Sequence, residues 1–264
     1  MPGKSGSHIV FIQHARPSFE MKILVCGKGG AGKSATSVLL AKKIAETGTV
    51  YVLDADESNR LLSKTFGVEA PDTLGNFFGG RKLLKQGIGE HEKIRLSELP
   101  GDYLKLTEDG IRFASVGKIE EFGEGCACPY GFLSKELLKR IVLDEGEHLI
   151  VDTEAGVEHL GRGIEEGIDA IVVVVDPTAE GVAIAKLLYT EAARINKPLH
   201  IVINKMTDEL IPILKDMLGK EGLRESATIR YDPIVFRSGL EGRQLEANEA
   251  MKGVETLTSL LFPK

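Results

Sequence analysis

The sequence predicts a single α/β domain: a mostly parallel sheet, covered by helices on both faces, with a phosphate-binding loop at its first strand–helix junction. Three observations predict it. Short, near-continuous Val/Ile/Leu runs alternate with stretches of helical apolar spacing, which is how strands buried on both faces of a parallel sheet read. The first run ends in Gly27-Lys28-Gly29-Gly30-Ala31-Gly32-Lys33-Ser34, which fits G-x-x-x-x-G-K-[ST] in the required place, after a strand and before a helix. The 264 residues suffice to bury the core of one large domain.

"KILVCG" (22–27) is apolar and stops at glycine, so it reads as a buried strand. "KSATSVLLAKKIAETG" (33–48) has helical spacing and ends at Gly48, a plausible cap. "TVYVLDADE" (49–57) is a second strand and "SNRLLSKTFGV" (58–68) a short helix. "HLIVDTEAG" (148–156) and "AIVVVVDPT" (170–178) are strands, and the helix "AEGVAIAKLLYTEAARIN" (179–196) follows the second. "PLHIVINK" (198–205) is a further strand with its helix in "TDELIPILKDMLG" (207–219), and "EANEAMKGVETLTSLLF" (246–262) is a terminal helix. Residues 68–131 are rich in glycine and charge and read as an insertion on a domain spanning 21–264, with a hairpin in "YLKLTEDGIRFASVG". Residues 1–20 lack the apolar core and cleavage site of a signal peptide. They are expected to be a poorly ordered extension or an upstream start, although "HIVFI" would also serve as an edge strand.

Composition excludes several functions. A net charge of −6 argues against sequence-independent nucleic-acid binding. No apolar run approaches the roughly 18 residues needed to cross a bilayer. Three cysteines (Cys26, Cys126, Cys128) do not make a disulfide framework, which suits a reducing, cytoplasmic setting.

The loop carries the chemistry. Its glycines let successive N–H groups curl around phosphate oxygens, and the helix start adds partial positive charge. Gly27 to Ala35 would hold the nucleotide, ATP or ADP, with Lys33 on the β and γ phosphates and the Ser34 hydroxyl on Mg²⁺. Asp152, ending "LIVD", would hold Mg²⁺ through water, and Gly156 would let the following loop move when a γ phosphate arrives. Asp54 and Asp56 stand at i, i+2 after the second strand, where two carboxylates could serve a metal and phosphates; capping of the next helix by Asp56 or Ser58 is the competing reading. "GEGCACPYG" places Cys126 and Cys128 on one side of an extended segment. Two thiolates make half of a tetrahedral soft-metal site, and a twofold dimer would supply the other half. Buried, incidental thiols are the alternative, and Cys26 reads as core.

The "KGGxGK" arrangement resembles the MinD/ParA group of ATPases, which includes the nitrogenase iron protein. The resemblance implies that Lys28 reaches across a homodimer interface to the partner's nucleotide, whereas an ordinary loop lysine would be solvated. It implies that Asp56 positions the attacking water, with Asp54 near Mg²⁺, so that Lys28, Lys33 and Asp56 form the catalytic set. It also implies that Asn204 reads the adenine, beside Lys205, with Asp232 and Pro233 of "RYDP" in the base pocket. Arg230 departs from the pattern there.

"CACP" followed by "IVDTEAGVEHLGRG" is similar to the CooC-type nickel-insertion ATPases of carbon monoxide dehydrogenase maturation. That resemblance implies Ni²⁺, or Zn²⁺ in its stead, at Cys126 and Cys128, and a carbon monoxide dehydrogenase as client. Glu158 and His159 would link nucleotide state to the metal, or else start a solvated helix. Two other functions compete: a ParA- or MinD-like positioning protein, which would need a basic face or a basic amphipathic tail, and an iron–sulfur scaffold ATPase.

Overall fold

The computed structural model describes residues 20–79, 93–117, 128–154 and 164–263, with 128–130 and 164–165 in backbone only. Expectations for residues 1–19, Cys126, Gly156, Glu158 and His159 lie outside the described residues.

The elements run β1 (Met21–Gly27), α1 (Lys33–Ala45), β2 (Thr49–Ala55), α2 (Leu62–Thr65), α3 (Leu74–Phe77), β3 (Lys105–Leu106), β4 (Arg112–Ser115), α4 (Cys128–Arg140), β5 (Glu147–Thr153), β6 (Ala170–Val175), α5 (Ala179–Arg194), β7 (Leu199–Met206), α6 (Leu210–Lys220), β8 (Ala227–Arg230), α7 (Pro233–Glu241) and α8 (Glu249–Leu261). One eight-stranded sheet has the order β3-β4-β2-β5-β1-β6-β7-β8. Every neighbouring pair is parallel except β3–β4.

Period-two alternation divides the core between the two faces. Ile23 and Val25 of β1, with Val50 and Val52 of β2, pack with Val38, Leu40 and Ile44 of α1 and Val254 and Leu257 of α8. Leu24 and Cys26, with Tyr51 and Leu53, face α4, α5 and α6 through Leu137, Leu188 and Leu218. Each such aliphatic side chain contributes about 1.5–3 kcal/mol when fully buried. Helix α8 approaches the edge strand closely because Gly253 has no side chain: a Cβ there would sit 2.2 Å from Thr228 O.

The segment expected as an insertion contributes β3 and β4, and β4 extends the sheet parallel to β2 with Leu53 opposite Ala114. The hairpin expected in 103–117 is the β3–β4 pair, with Lys105 opposite Phe113. Helix α4, strand β8 and helix α7 were not expected. Cys128 opens α4, so the extended geometry expected at that residue gives way to a helix start. Pro129 suits the first helical turn, where its missing N–H costs nothing.

Because the strands are parallel, the ends of β1, β2, β5, β6 and β7 all emerge at one edge of the sheet. That edge is where open α/β sheets bind ligands.

Candidate functional site

The phosphate loop leaves β1 through Gly27, whose φ of 138° suits glycine. A Cβ at Gly27 would lie 2.3 Å from Val174 O of β6, so the chain turns flush against its neighbour. Gly30 and Gly32 also have positive φ, 79° and 97°. Gly32 is the N-cap of α1, and no side chain caps that helix end. The first turn of α1 contains no acidic residue. The first N–H groups of α1 therefore lack a side-chain acceptor, and the positive end of its dipole faces the loop, which is the arrangement that receives phosphate. Lys33 is buried and its Nζ arches back to within 3.4 Å of Lys28 O.

Behind the loop, Asp152 is completely buried at the end of β5. Ser34 Oγ donates to its Oδ2 at 2.7 Å and Ser37 Oγ donates to its Oδ1 at 2.7 Å. Burial pushes the Asp152 carboxyl up to about 6, against the pull of the two hydroxyls and the Lys33 charge. A fully buried carboxylate whose hydrogen bonds come from two neutral hydroxyls is a place where a cation relieves a real cost. Ser34 and Asp152, held together at 2.7 Å, carry hard-oxygen donors of the kind Mg²⁺ takes.

The turn after β2 is equally organised. Asp56 N donates to Asp54 Oδ1 at 3.2 Å. Asp56 Oδ1 accepts from Ser58 N at 2.9 Å, Ser58 Oγ at 2.6 Å and Asn59 N at 3.1 Å. This is the capping geometry that competes with a water-positioning role, and Asp56 stays largely buried as it performs it. Asn59 Nδ2 then donates to Ser34 Oγ at 3.1 Å, tying this turn to the phosphate loop.

Sequence reasoning missed three residues here. Ser37 lies one helical turn beyond Ser34, a spacing that puts both hydroxyls on one face of α1. Asn59 had no local signal. Glu57 is buried and its carboxyl is raised to about 7, first by burial and then by the neighbouring Glu154 charge. Three acids within four residues of "DADE" were the available clue.

Lys28 folds back onto its own chain. Its Nζ is 3.0 Å from Glu180 Oε2, 3.6 Å from Asp176 Oδ2 and 3.4 Å from Thr178 Oγ1, all at the β6–α5 junction. The Glu180 hydrogen bond holds its ammonium above the ordinary lysine value.

At the far side, Asn204 Nδ2 donates to Ala31 O at 2.9 Å and Lys205 Nζ donates to Gly30 O at 2.6 Å. Asp232 is the N-cap of α7, accepting from Ile234 N at 2.9 Å, and its Oδ2 also accepts from Asn248 N at 2.6 Å and Ala250 N at 3.1 Å. Pro233 is the first residue of α7. The Asp232 carboxylate thus serves backbone donors of two segments. Arg230 pairs with Asp208 at 2.6 Å.

Cys26 is core, its thiol pushed up to about 12 by burial. Among the described residues no group of three or more His, Cys, Asp or Glu side chains could hold a metal ion, and Cys126 lies outside them. Among the described residues no helix is long and apolar enough to cross a membrane.

Known proteins carry the same plan. The family model described as the CobQ/CobB/MinD/ParA nucleotide binding domain matches residues 22–245. An ATP-binding protein of Methanocaldococcus jannaschii is 39% identical over 251 residues, spanning 90% of this chain and all of that protein. The carbon monoxide dehydrogenase accessory protein CooC of Rhodospirillum rubrum is 33% identical over 168 residues, 60% of this chain and 63% of its own. The septum site-determining protein MinD of Pyrococcus horikoshii, solved with Mg-ADP, superposes with a TM-score of 0.67 at 16% identity, covering 92% of this chain and 96% of that one. The chain therefore belongs to the CobQ/CobB/MinD/ParA nucleotide-binding family, and it is an ATP-binding P-loop ATPase.

Proposed function

We propose that this ATPase is a dimerising metallochaperone that carries Ni²⁺, with Zn²⁺ able to take its place, and assists nickel insertion into a carbon monoxide dehydrogenase inside the cell. The similarity to CooC is the observation that carries the reading, and the Cys126-x-Cys128 pair of the sequence supplies the thiolates it needs. Two chains would supply four thiolates, the number a tetrahedral soft-metal site takes.

In this reading ATP closes the dimer. The glycine-lined loop and the start of α1 bind the phosphates, and Lys33 neutralises their charge. Lys28 leaves Glu180 and Asp176 and turns to the nucleotide of the partner copy, so that the γ phosphate is compensated best when two subunits meet. Mg²⁺, when bound, neutralises phosphate charge at Ser34, Asp54 and Asp152. Asp56 orients the attacking water while its cap bonds hold the turn in place. Asn204 and the backbone at Asp232 and Pro233 border the base, with the Asp232 carboxylate fixing that loop through its two caps. Hydrolysis removes the γ phosphate and, with it, the attraction that holds the dimer shut.

The test is light scattering on the eluted protein, with metal content measured on each peak, in the presence and absence of Ni²⁺ and of ATP. The reading expects an ATP- and metal-dependent dimer holding one ion per two chains, which Cys126→Ala or Cys128→Ala abolishes. A monomer under every condition, or metal retained by both variants, refutes it. A second reading has its own support: an iron–sulfur cluster carrier protein of M. jannaschii is 25% identical over 245 residues. A stable visible cluster band after anaerobic reconstitution, lost in Cys126→Ala, would favour that scaffold role instead.

A further inference from the structure

We propose that Lys205 is a positioning residue of the phosphate cradle, acting on the loop rather than on the base. The argument begins with the loop's own geometry. A loop that turns its N–H groups toward a ligand turns its carbonyls the other way, and those carbonyls need donors of their own. Within the loop, Lys28 O accepts from Ala31 N at 3.2 Å and faces Lys33 Nζ at 3.4 Å. The next two outward carbonyls are served from the turn that ends β7: Lys205 Nζ donates to Gly30 O at 2.6 Å and Asn204 Nδ2 donates to Ala31 O at 2.9 Å. Two consecutive side chains thus grip two consecutive carbonyls.

The turn is built for that grip. Lys205 has φ 60°, a left-handed conformation that a residue with a Cβ adopts at a cost. The pairing of β7 with β8 shifts register between Ile203 and Met206, across this same residue. Lys205 N donates to Asn204 Oδ1 at 2.8 Å, which locks the turn and leaves the Asn204 amide nitrogen aimed at the loop. The fit is tight from the other side as well. A Cβ on Gly32 would fall 2.3 Å from Asn204 Nδ2 and 3.8 Å from Lys205 Cε. An exposed lysine held in a strained backbone, with its ammonium on a carbonyl of the phosphate loop, has a different task from a base contact. It fixes the peptide between Gly30 and Ala31, whose N–H closes the loop onto Lys28 O, and so holds the curvature of the cradle.

The inference needs only the nucleotide binding shared by the family, and it stands or falls independently of the metal-carrying role. The experiment measures equilibrium binding of ADP, ATP and adenosine, by competition against a fluorescent ADP, to wild-type protein and to Lys205→Ala, Lys205→Arg and Lys205→Gly. A hydrogen bond from a charged donor is worth roughly tenfold in binding when the cradle depends on it. Lys205→Ala is expected to weaken ADP and ATP equally, by about tenfold, and to leave adenosine unchanged. Lys205→Arg, which keeps a cationic donor, restores most of the loss. Lys205→Gly accepts φ 60° without strain, so it folds even if the alanine variant does not, and it shows the same phosphate-specific loss. The proposal is overturned if adenosine weakens in step with ADP, if the glycine variant binds ADP like wild type, or if arginine gives no recovery.

Discussion

Replacing Asp152 by Asn should make the nucleotide-free protein more stable while disabling its site. The carboxylate is fully buried, and burial raises its carboxyl from the ordinary 3.8 to about 6. A shift of about two units, at roughly 1.4 kcal/mol each, puts the cost of ionising Asp152 in the folded state near 3 kcal/mol. Because the folded value is the higher one, the favourable contribution is complete below about pH 4. It is lost as pH rises to about 6, and the fold then carries the whole cost at neutral pH. Asparagine removes the charge and keeps the shape. Its carbonyl accepts from one of Ser34 and Ser37, and its amide donates to the other hydroxyl, which can accept. The expected gain is about 1–3 kcal/mol at pH 7, or several degrees in Tm for a chain of this size. Thermal melts of both proteins from pH 4 to pH 7.5, without nucleotide or divalent cation, measure it. The gap should be wide at pH 7 and close toward pH 4. The same variant should lose the Mg²⁺-dependent part of its ADP affinity. If Asp152→Asn melts at or below wild type at pH 7, or if the gap ignores pH, the buried charge is not the liability that its surroundings describe.

Glu180→Gln weakens the ion pair that holds Lys28 on its own chain, and should tighten ATP-dependent self-association a few-fold; sedimentation velocity with a non-hydrolysable ATP analogue reads it, and Lys28→Ala should abolish the association altogether. Asp232→Ala removes the acceptor for Ile234, Asn248 and Ala250 N–H groups and should cost about 2–4 kcal/mol in urea unfolding. Burial alone would push the Asp232 carboxyl up, but those backbone donors hold it below the ordinary carboxylate value. Its stabilisation is therefore present above about pH 4 and is lost as pH falls through the lower folded value, a decline the alanine variant should lack. Gly253→Ala drives a Cβ to 2.2 Å from Thr228 O and should cost about 1–3 kcal/mol, with ADP affinity of the folded protein unchanged.

What the sequence made legible was local. The loop from Gly27 to Ser34 can be read directly because its signals are contiguous: an apolar run, glycines where φ must be positive, and a helix whose first turn lacks acids. Strand β4 could be read as half of a hairpin, but its place beside β2 could not. "RFAS" joins the sheet only by lying parallel to β2 some sixty residues back, and no local pattern reports a non-local partner. Helix α4 was hidden by the glycine-rich run before it, although Leu133, Leu137 and Leu138 are buried at helical spacing. Ser37 was within reach of sequence reasoning, one turn from Ser34, and was passed over because the motif ends at Ser34.

Asp232 and Lys205 show a different limit. The family resemblance pointed both toward the base. In the fold the carboxylate of Asp232 is drawn to backbone donors 16 and 18 residues away, and the ammonium of Lys205 is drawn to Gly30 O. Each is a polar group that finds its strongest partner in the main chain, because buried or crowded N–H and C=O groups must be paired wherever they fall. A residue named from a motif is therefore named by what it faces, not by what it holds. Asn204 illustrates the consequence: its amide is already bonded to Ala31 O and to Lys205 N. Any base edge it reads is read from an orientation that its bond to Ala31 O has set, whereas the bond from Lys205 to Gly30 O bears on the phosphate loop alone.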